Sequence, residues 1–165
     1  MAPELTQGLE DYLAPIRTIT GTFAQAEALL AVYMAKRNDI ARKHFPELKA
    51  AVDTCDGNTA LFRNMLLRLG IQSRIIVFEF TDGSGKKSHA ALEVWDSENK
   101  RWFYADAHFG NLDVRTVIDI AEQDRKPSTI GPRIDTIKEL FEVGTQQFMI
   151  ETKSPRSRIV LQRQN

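Results

Sequence analysis

The 165-residue chain holds a single cysteine, Cys55. One thiol excludes an internal disulfide and any zinc site built from several cysteines. Neither sign of charge is in excess, with 22 basic against 22 acidic residues. No overall field therefore draws the chain to nucleic acid or to an anionic membrane. Long apolar runs are also missing, and nothing approaches the roughly 18 residues of a membrane span. The opening residues 1–13 are acidic and lack a basic start followed by an apolar run, so no secretory leader is expected and a cytoplasmic location is. No acidic loop resembles an EF-hand. No metal and no cofactor are implied.

What is present suits a globular protein: 42% hydrophobic and 27% charged residues. The length fits a single domain spanning residues 1–165, in which about 68–70% of the unfolded surface is buried. Residues 22–43 are expected to form a helix, because Ala24, Ala28, Leu29, Val32, Tyr33 and Ile40 recur at near-helical spacing. Pro46 ends it, and Glu47 to Val52 make a further short helical turn. His44 is expected on the surface at the helix end.

The next helix is the best defined. Asp53 and Thr54 are good capping residues. Leu61, Met65 and Leu69 share a side with Phe62 and Leu66 next to them, and Gly70 supplies the stop. Cys55 thus stands at a helix start. Three strands follow, Ser73–Phe80, His89–Trp95 and Arg101–Asp106, rich in β-branched and aromatic residues. If Ser97 and Glu98 form a two-residue loop, Asp96 opposes Asn99 and His89 opposes Asp106. A four-residue loop makes that pair diagonal on one face; a three-residue loop separates it. Further on, Asp113–Asp124 and Asp135–Val143 read as helices, and Gln146–Glu151 and Arg158–Gln162 as strands. The fold class is α+β, with the helix bearing Cys55 and additional helices packed on an antiparallel sheet.

Cysteine, histidine and aspartate on these elements point to nucleophilic chemistry. A helix start stabilises a thiolate through its free N–H groups and dipole. His89 would act as general base and then acid, and Asp106 would orient it. The backbone N–H of Cys55 would donate to an oxyanion. His108, two residues past Asp106, is a rival base and a candidate substrate-binding residue. Asp53 and Asp56 flank the thiol.

These stretches resemble the transglutaminase-like superfamily of papain-type cysteine enzymes. The resemblance begins at Cys55 with CDGNTALFRNMLLRLGIQSRIIV, in which Leu67, Arg68, Gly70, Ile71 and Arg74 follow the family pattern. It continues through SHAALEVW, with His89, and RWFYADAHFGN, with Trp102 and Asp106. Asp53 stands where members often have Gly. Members usually bring an oxyanion side chain from upstream, often Trp or Gln, and Gln25 and Tyr33 are the upstream candidates. The resemblance implies a papain-like fold and a Cys55–His89–Asp106 triad that forms a thioester from an amide.

The partner expected is therefore a peptide, a protein or a small amide substrate, with no nucleic acid and no membrane. Hydrolysis is preferred to amine transfer, because no second, water-excluding substrate site is evident. An arylamine acetyltransferase-like activity would use the same three residue types, but the Arg-Gly-Gly run expected before the cysteine is absent. The alternative from another class is a non-catalytic binding module that uses the cleft for partner recognition.

Overall fold

A computed structural model of the chain describes residues 7–82, 85–117, 119, 137–138, 146–149 and 159–164. Helices α1 (Gln7–Arg17) and α2 (Thr22–His44) lead through a 3-10 helix (Pro46–Asp53) to α3 (Cys55–Arg68). Strands β1 (Ser73–Asp82), β2 (Gly85–Asp96), β3 (Arg101–Asp106) and β4 (Asn111–Asp113) form an antiparallel meander. Strands β5 (Ile137–Lys138), β6 (Gln146–Met149) and β7 (Ile159–Gln164) extend the sheet. Its order is β4-β3-β2-β1-β7-β5, with β6 also paired to β7. The class is α+β, as expected.

α1 is not among the elements the sequence predicts. Leu9, Leu13 and Ile16 lie on its buried side, a helical spacing that Pro15 obscures. Arg17 ties its end to α3 by donating to the Arg68 carbonyl (3.0 Å). His44, expected on the surface, packs instead against α1: a Cβ added at Gly8 would lie 3.0 Å from its ring. Tyr12 meets it edge-on at 6.4 Å.

The core lies between the helices and one face of the sheet. It joins Leu29 and Tyr33 of α2, Phe62 and Met65 of α3, and Leu92, Val94, Phe103 and Ala105 of the strands. Strand alternation then sets His89 and Glu93 of β2, with Tyr104 and Asp106 of β3, on the opposite face.

Of the loop lengths considered after β2, the four-residue loop forms and the two-residue loop at Ser97–Glu98 does not. Asp96 pairs with Arg101, so residues 97–100 make a four-residue turn. The reason is local. Ser-Glu lacks the Gly or Asn that two-residue turns demand, whereas the buried Asp96 carboxylate accepts bonds from Asn99 N (3.2 Å) and Asn99 Nδ2 (2.8 Å). Lys100 takes the left-handed conformation that closes the turn (φ 53°). Glu98 is then released to α2, where it accepts from Thr22 N at 3.0 Å. That bond holds the Glu98 carboxyl down at about 2.

Two further predicted elements change. Asn111–Asp113 is a strand paired with β3, so no helix begins at Asp113. Thr116 and Asp119 cap each other reciprocally, which starts the helical turn at Val117 instead. Within the helix expected at Asp135–Val143, Ile137 and Lys138 form a strand parallel to β7; residues 120–136 and 139–145 lie outside the described set. The strands expected near 146–151 and 158–162 correspond to β6 and β7.

Arg74 and Glu93 are directly opposed on β1 and β2. The Glu93 carboxylate is fully buried and accepts from Arg74 Nε at 2.7 Å. The guanidinium also lies over the Trp102 ring, 4.0 Å from its centre. Replacing Arg74 by Met leaves a buried carboxylate without this charge partner. Chemical denaturation should show a loss of about 3–5 kcal/mol, and Arg74→Met with Glu93→Met together should lose less.

Candidate active site

The first turn of α3 is set by side chains rather than by its own ladder. Thr54 is the N-cap: its hydroxyl accepts from Gly57 N at 3.1 Å and its carbonyl from Asn58 N at 3.1 Å. Asp53 and Asp56, the other capping candidates, are exposed. Cys55 is half-buried, and its Sγ lies 4.0 Å from Asp56 Oδ1.

Asn58, one turn beyond Cys55, is fully buried. Its Nδ2 donates to Val52 O and to Thr54 O, both at 2.8 Å, and its Oδ1 accepts from Tyr33 OH at 2.7 Å. The residue thereby fixes the chain entering the helix immediately before the thiol. Sequence reading missed it, although a polar residue at i+3 within an apolar helix was a usable signal. Thr59 docks the same turn on β2 by donating to Ala90 O (3.1 Å), next to His89. Tyr33 belongs to this network, and burial raises its phenol above the ordinary range.

His89 and Asp106 meet. The register, extended by one pair, sets Asp106 opposite Ala91, so His89 is its diagonal neighbour, as a four-residue loop requires. His89 Nε2 and Asp106 Oδ2 are 2.6 Å apart, and both residues are buried. A carboxylate only accepts, so the proton of this bond sits on Nε2. Tyr104 OH donates to the same oxygen at 3.0 Å. The second oxygen accepts from the backbone N–H groups of His108 (2.9 Å) and Phe109 (3.1 Å). Burial pushes the Asp106 carboxyl up, but the His89 bond and charge, with the Phe109 and Tyr104 bonds, hold it below the ordinary carboxylate value. The Tyr104 phenol is driven well up by burial, by Asp106 and by the charge of Cys55.

His108 Nδ1 lies 3.0 Å from Asn58 Nδ2, and its ring centre is 6.1 Å from that of His89. Phe109, 47% exposed, flanks the His89 ring at 5.1 Å. Gly110 makes the turn possible: its φ is 77°, and a Cβ there would come within 3.1 Å of Met34. Gln25, by contrast, donates its side-chain amide to Ile19 O at 2.9 Å, in the connection between α1 and α2. Among the described residues no cluster of metal-ligand type occurs, and no helix is long and apolar enough to cross a membrane. A groove of about 700 Å³, lined by Arg63, Leu67, Ile71 and Trp102 among others, lies at the far end of α3. Its lining residue on α3 nearest in sequence to Cys55 is Arg63, eight residues on, roughly 12 Å along the helix at 1.5 Å per residue.

Two outcomes test this network. Asn58→Ala strands the Tyr33 hydroxyl and removes the side-chain donor of the Val52 carbonyl, while the Thr54 carbonyl keeps its bond from the backbone N–H of residue 58; since each unsatisfied buried group costs about 1–3 kcal/mol, a loss of about 3 kcal/mol in urea unfolding is expected. Second, stability should fall with acid in two stages. His44 and His108 are both depressed, chiefly by burial, so unfolding takes up protons as pH drops through about 6.5, where an unfolded histidine titrates. Asp106 is depressed too, so its contribution is intact above about pH 4 and is lost as pH falls through and below that value. Urea midpoints across pH should show both stages, and Asp106→Asn should remove part of the second.

The geometry can be compared with known proteins. The family model of the transglutaminase-like superfamily matches residues 15–107. The match reaches upstream through α2 to the last residues of α1, beyond the stretch from Cys55 onward that carries the resemblance in the sequence. No curated protein and no solved structure matches the chain. The superfamily generally includes cysteine enzymes. With more than half of its length matched by that model, the chain belongs to the transglutaminase-like superfamily.

Proposed function

We propose that the protein is a cysteine-dependent acyl-transfer enzyme acting on an amide, with Cys55 as nucleophile, His89 as base and acid, and Asp106 as the group that orients His89. What supports this reading is the buried 2.6 Å His89–Asp106 bond, together with a half-buried thiol at a helix start. With Nε2 committed to Asp106, the thiol proton passes to Nδ1 of His89. The sulfur then attacks the carbonyl carbon, and an S–C bond forms as the carbonyl electrons move to oxygen. Collapse breaks the C–N bond, and the amine leaves with the proton from His89. Water, deprotonated by His89, next attacks the thioester, and the C–S bond breaks to release the acid and the thiol.

Donors for the oxyanion are at hand in the helix start. Gly57 N and Asn58 N are taken by Thr54. The N–H groups of Cys55 and Asp56 precede the ladder, which leaves them to serve the oxyanion. Gln25, whose amide is engaged with Ile19 O, is left out of this assignment. Hydrolysis is preferred to transfer to an amine, and the substrate is a peptide, a protein or a small amide. The chain acts as one domain in the cytoplasm. A second reading keeps the fold and uses the cleft to hold a partner without chemistry; the exposed Phe109 at its lip is the feature that favours it.

Alkylation by iodoacetamide separates the two. An enzyme thiol should react near neutral pH at least about 10-fold faster than a free thiol, which has a pKa near 8.5. His89→Ala should remove the enhancement, and Asp106→Asn should lower it by a smaller factor. Ordinary reactivity in the unsubstituted protein, unchanged by His89→Ala, would reject the catalytic reading.

A further inference from the structure

We propose that His108 is a fixed, neutral hydrogen-bond donor, its proton held on Nε2, that binds the acyl carbonyl oxygen of the substrate across the cleft from the first turn of α3. The inference rests on the acyl-transfer reading and names the side-chain donor that the reading lacks.

The argument starts from Asn58. One side of its amide faces the Tyr33 hydroxyl at 2.7 Å, and the other faces two backbone carbonyls, Val52 O and Thr54 O, at 2.8 Å. Carbonyls only accept, so the side facing them is the NH2 group, and the orientation of the amide is dictated. His108 Nδ1 stands 3.0 Å from that NH2 group. A proton on Nδ1 would point donor at donor. The two hydrogens of the NH2 group are shared among three acceptors, one of them between a carbonyl and Nδ1; Nδ1 thus carries no proton, and the single proton of the neutral ring belongs on Nε2.

The surroundings keep the ring in that form. From α2, the Arg37 guanidinium donates to the His108 carbonyl at 3.3 Å; from β2, His89 lies 6.1 Å away, ring centre to ring centre. From β3 comes Asp106, whose carboxylate binds the His108 backbone N–H. Burial, the nearby His89 charge and Arg37 all disfavour a second proton, and they outweigh the opposing pull of Asp106.

The place is suitable as well as the protonation state. Asn58 and Cys55 are three residues apart and share a side of α3, so a ring seated on Asn58 adjoins the thiol's turn. His108 is half-buried. Among the described residues its Nε2 has no protein acceptor and is not sealed from solvent. Two imidazoles, with ring centres 6.1 Å apart, thus have separate duties. His89 exchanges protons, and His108 does not. A neutral donor suits a neutral amide carbonyl and the charge that develops on its oxygen.

The test uses p-nitrophenyl acetate as acyl donor and iodoacetamide as a thiol reagent that forms no tetrahedral oxyanion. For each variant, the rate of Cys55 acylation is divided by the rate of its alkylation. His108→Ala should lower this ratio by about 100-fold, as for loss of one oxyanion donor, and His108→Gln, which offers a neutral N–H, should restore much of it. A ratio unchanged in His108→Ala would overturn the proposal, and so would a parallel fall in both rates, which marks a structural role. Nitrogen NMR supplies an arm independent of activity: neutral His108 should carry its proton on Nε2, and it should take up a second proton only at a lower pH than an ordinary histidine does. A proton found on Nδ1 overturns the assignment even if Cys55 is acylated. Failure of the unsubstituted protein to be acylated, with Nε2–H in place, sinks the acyl-transfer reading and the role of His108 with it.

Discussion

The Asp106 carboxylate is the anchor of the molecule's polar interior. It is fully buried, yet each oxygen accepts two hydrogen bonds: His89 Nε2 and Tyr104 OH on one, His108 N and Phe109 N on the other. A buried charge is tolerated only when its acceptor sites are filled. Filling them dictates much around it. The strand must end at Asp106, the chain must curl so that two successive N–H groups face back, and Gly110 must close the turn at positive φ beside Met34. The carboxylate in turn commits His89 to one orientation and one tautomer.

A second polar centre performs the matching task on the helix. Asn58 connects Tyr33 of α2, the chain leading into Cys55, and His108 beyond β3. Its hydrogen bonds reach backbone at Val52 and Thr54, so the position of the thiol is tied to a side chain locked in the core. The two centres meet at His108, whose backbone serves Asp106 and whose ring serves Asn58. Helix and strand are thereby registered to each other at the point where the proposed nucleophile and base must cooperate. Networks of this kind rigidify when fully satisfied.

Much of this was legible beforehand, and what was not has identifiable reasons. The helix bearing Cys55 was legible because its signals are local: Thr54 caps it, Leu61, Phe62, Met65 and Leu66 form its buried side, and Gly70 ends it. The meander was legible from β-branched alternation and turn residues. The length of the loop at residues 97–100 was left open, because the Asp96 carboxylate competes for the turn with the backbone. The four-residue loop keeps His89 and Asp106 on a common face. α1 was hidden by Pro15, and the strand at Asn111–Asp113 is too short to show periodicity; it exists because β3 offers it an edge.

The sequence by itself determined which residue types were available, which elements carried them, and that a loop of two or four residues would put His89 and Asp106 on one face, since alternation along a strand follows from bond geometry alone. Tertiary structure decided the rest. Whether Asn58 would be a solvated helix residue or a buried hub, and which nitrogen of His108 would hold a proton, depends on groups from α2, α3 and the turn after β3. Tyr33 and His108 are 25 and 50 residues from Asn58 in the chain, and no local pattern records their meeting. Hydrogen bonding is directional and short-ranged, so such roles are assigned only when the chain has brought donor and acceptor face to face.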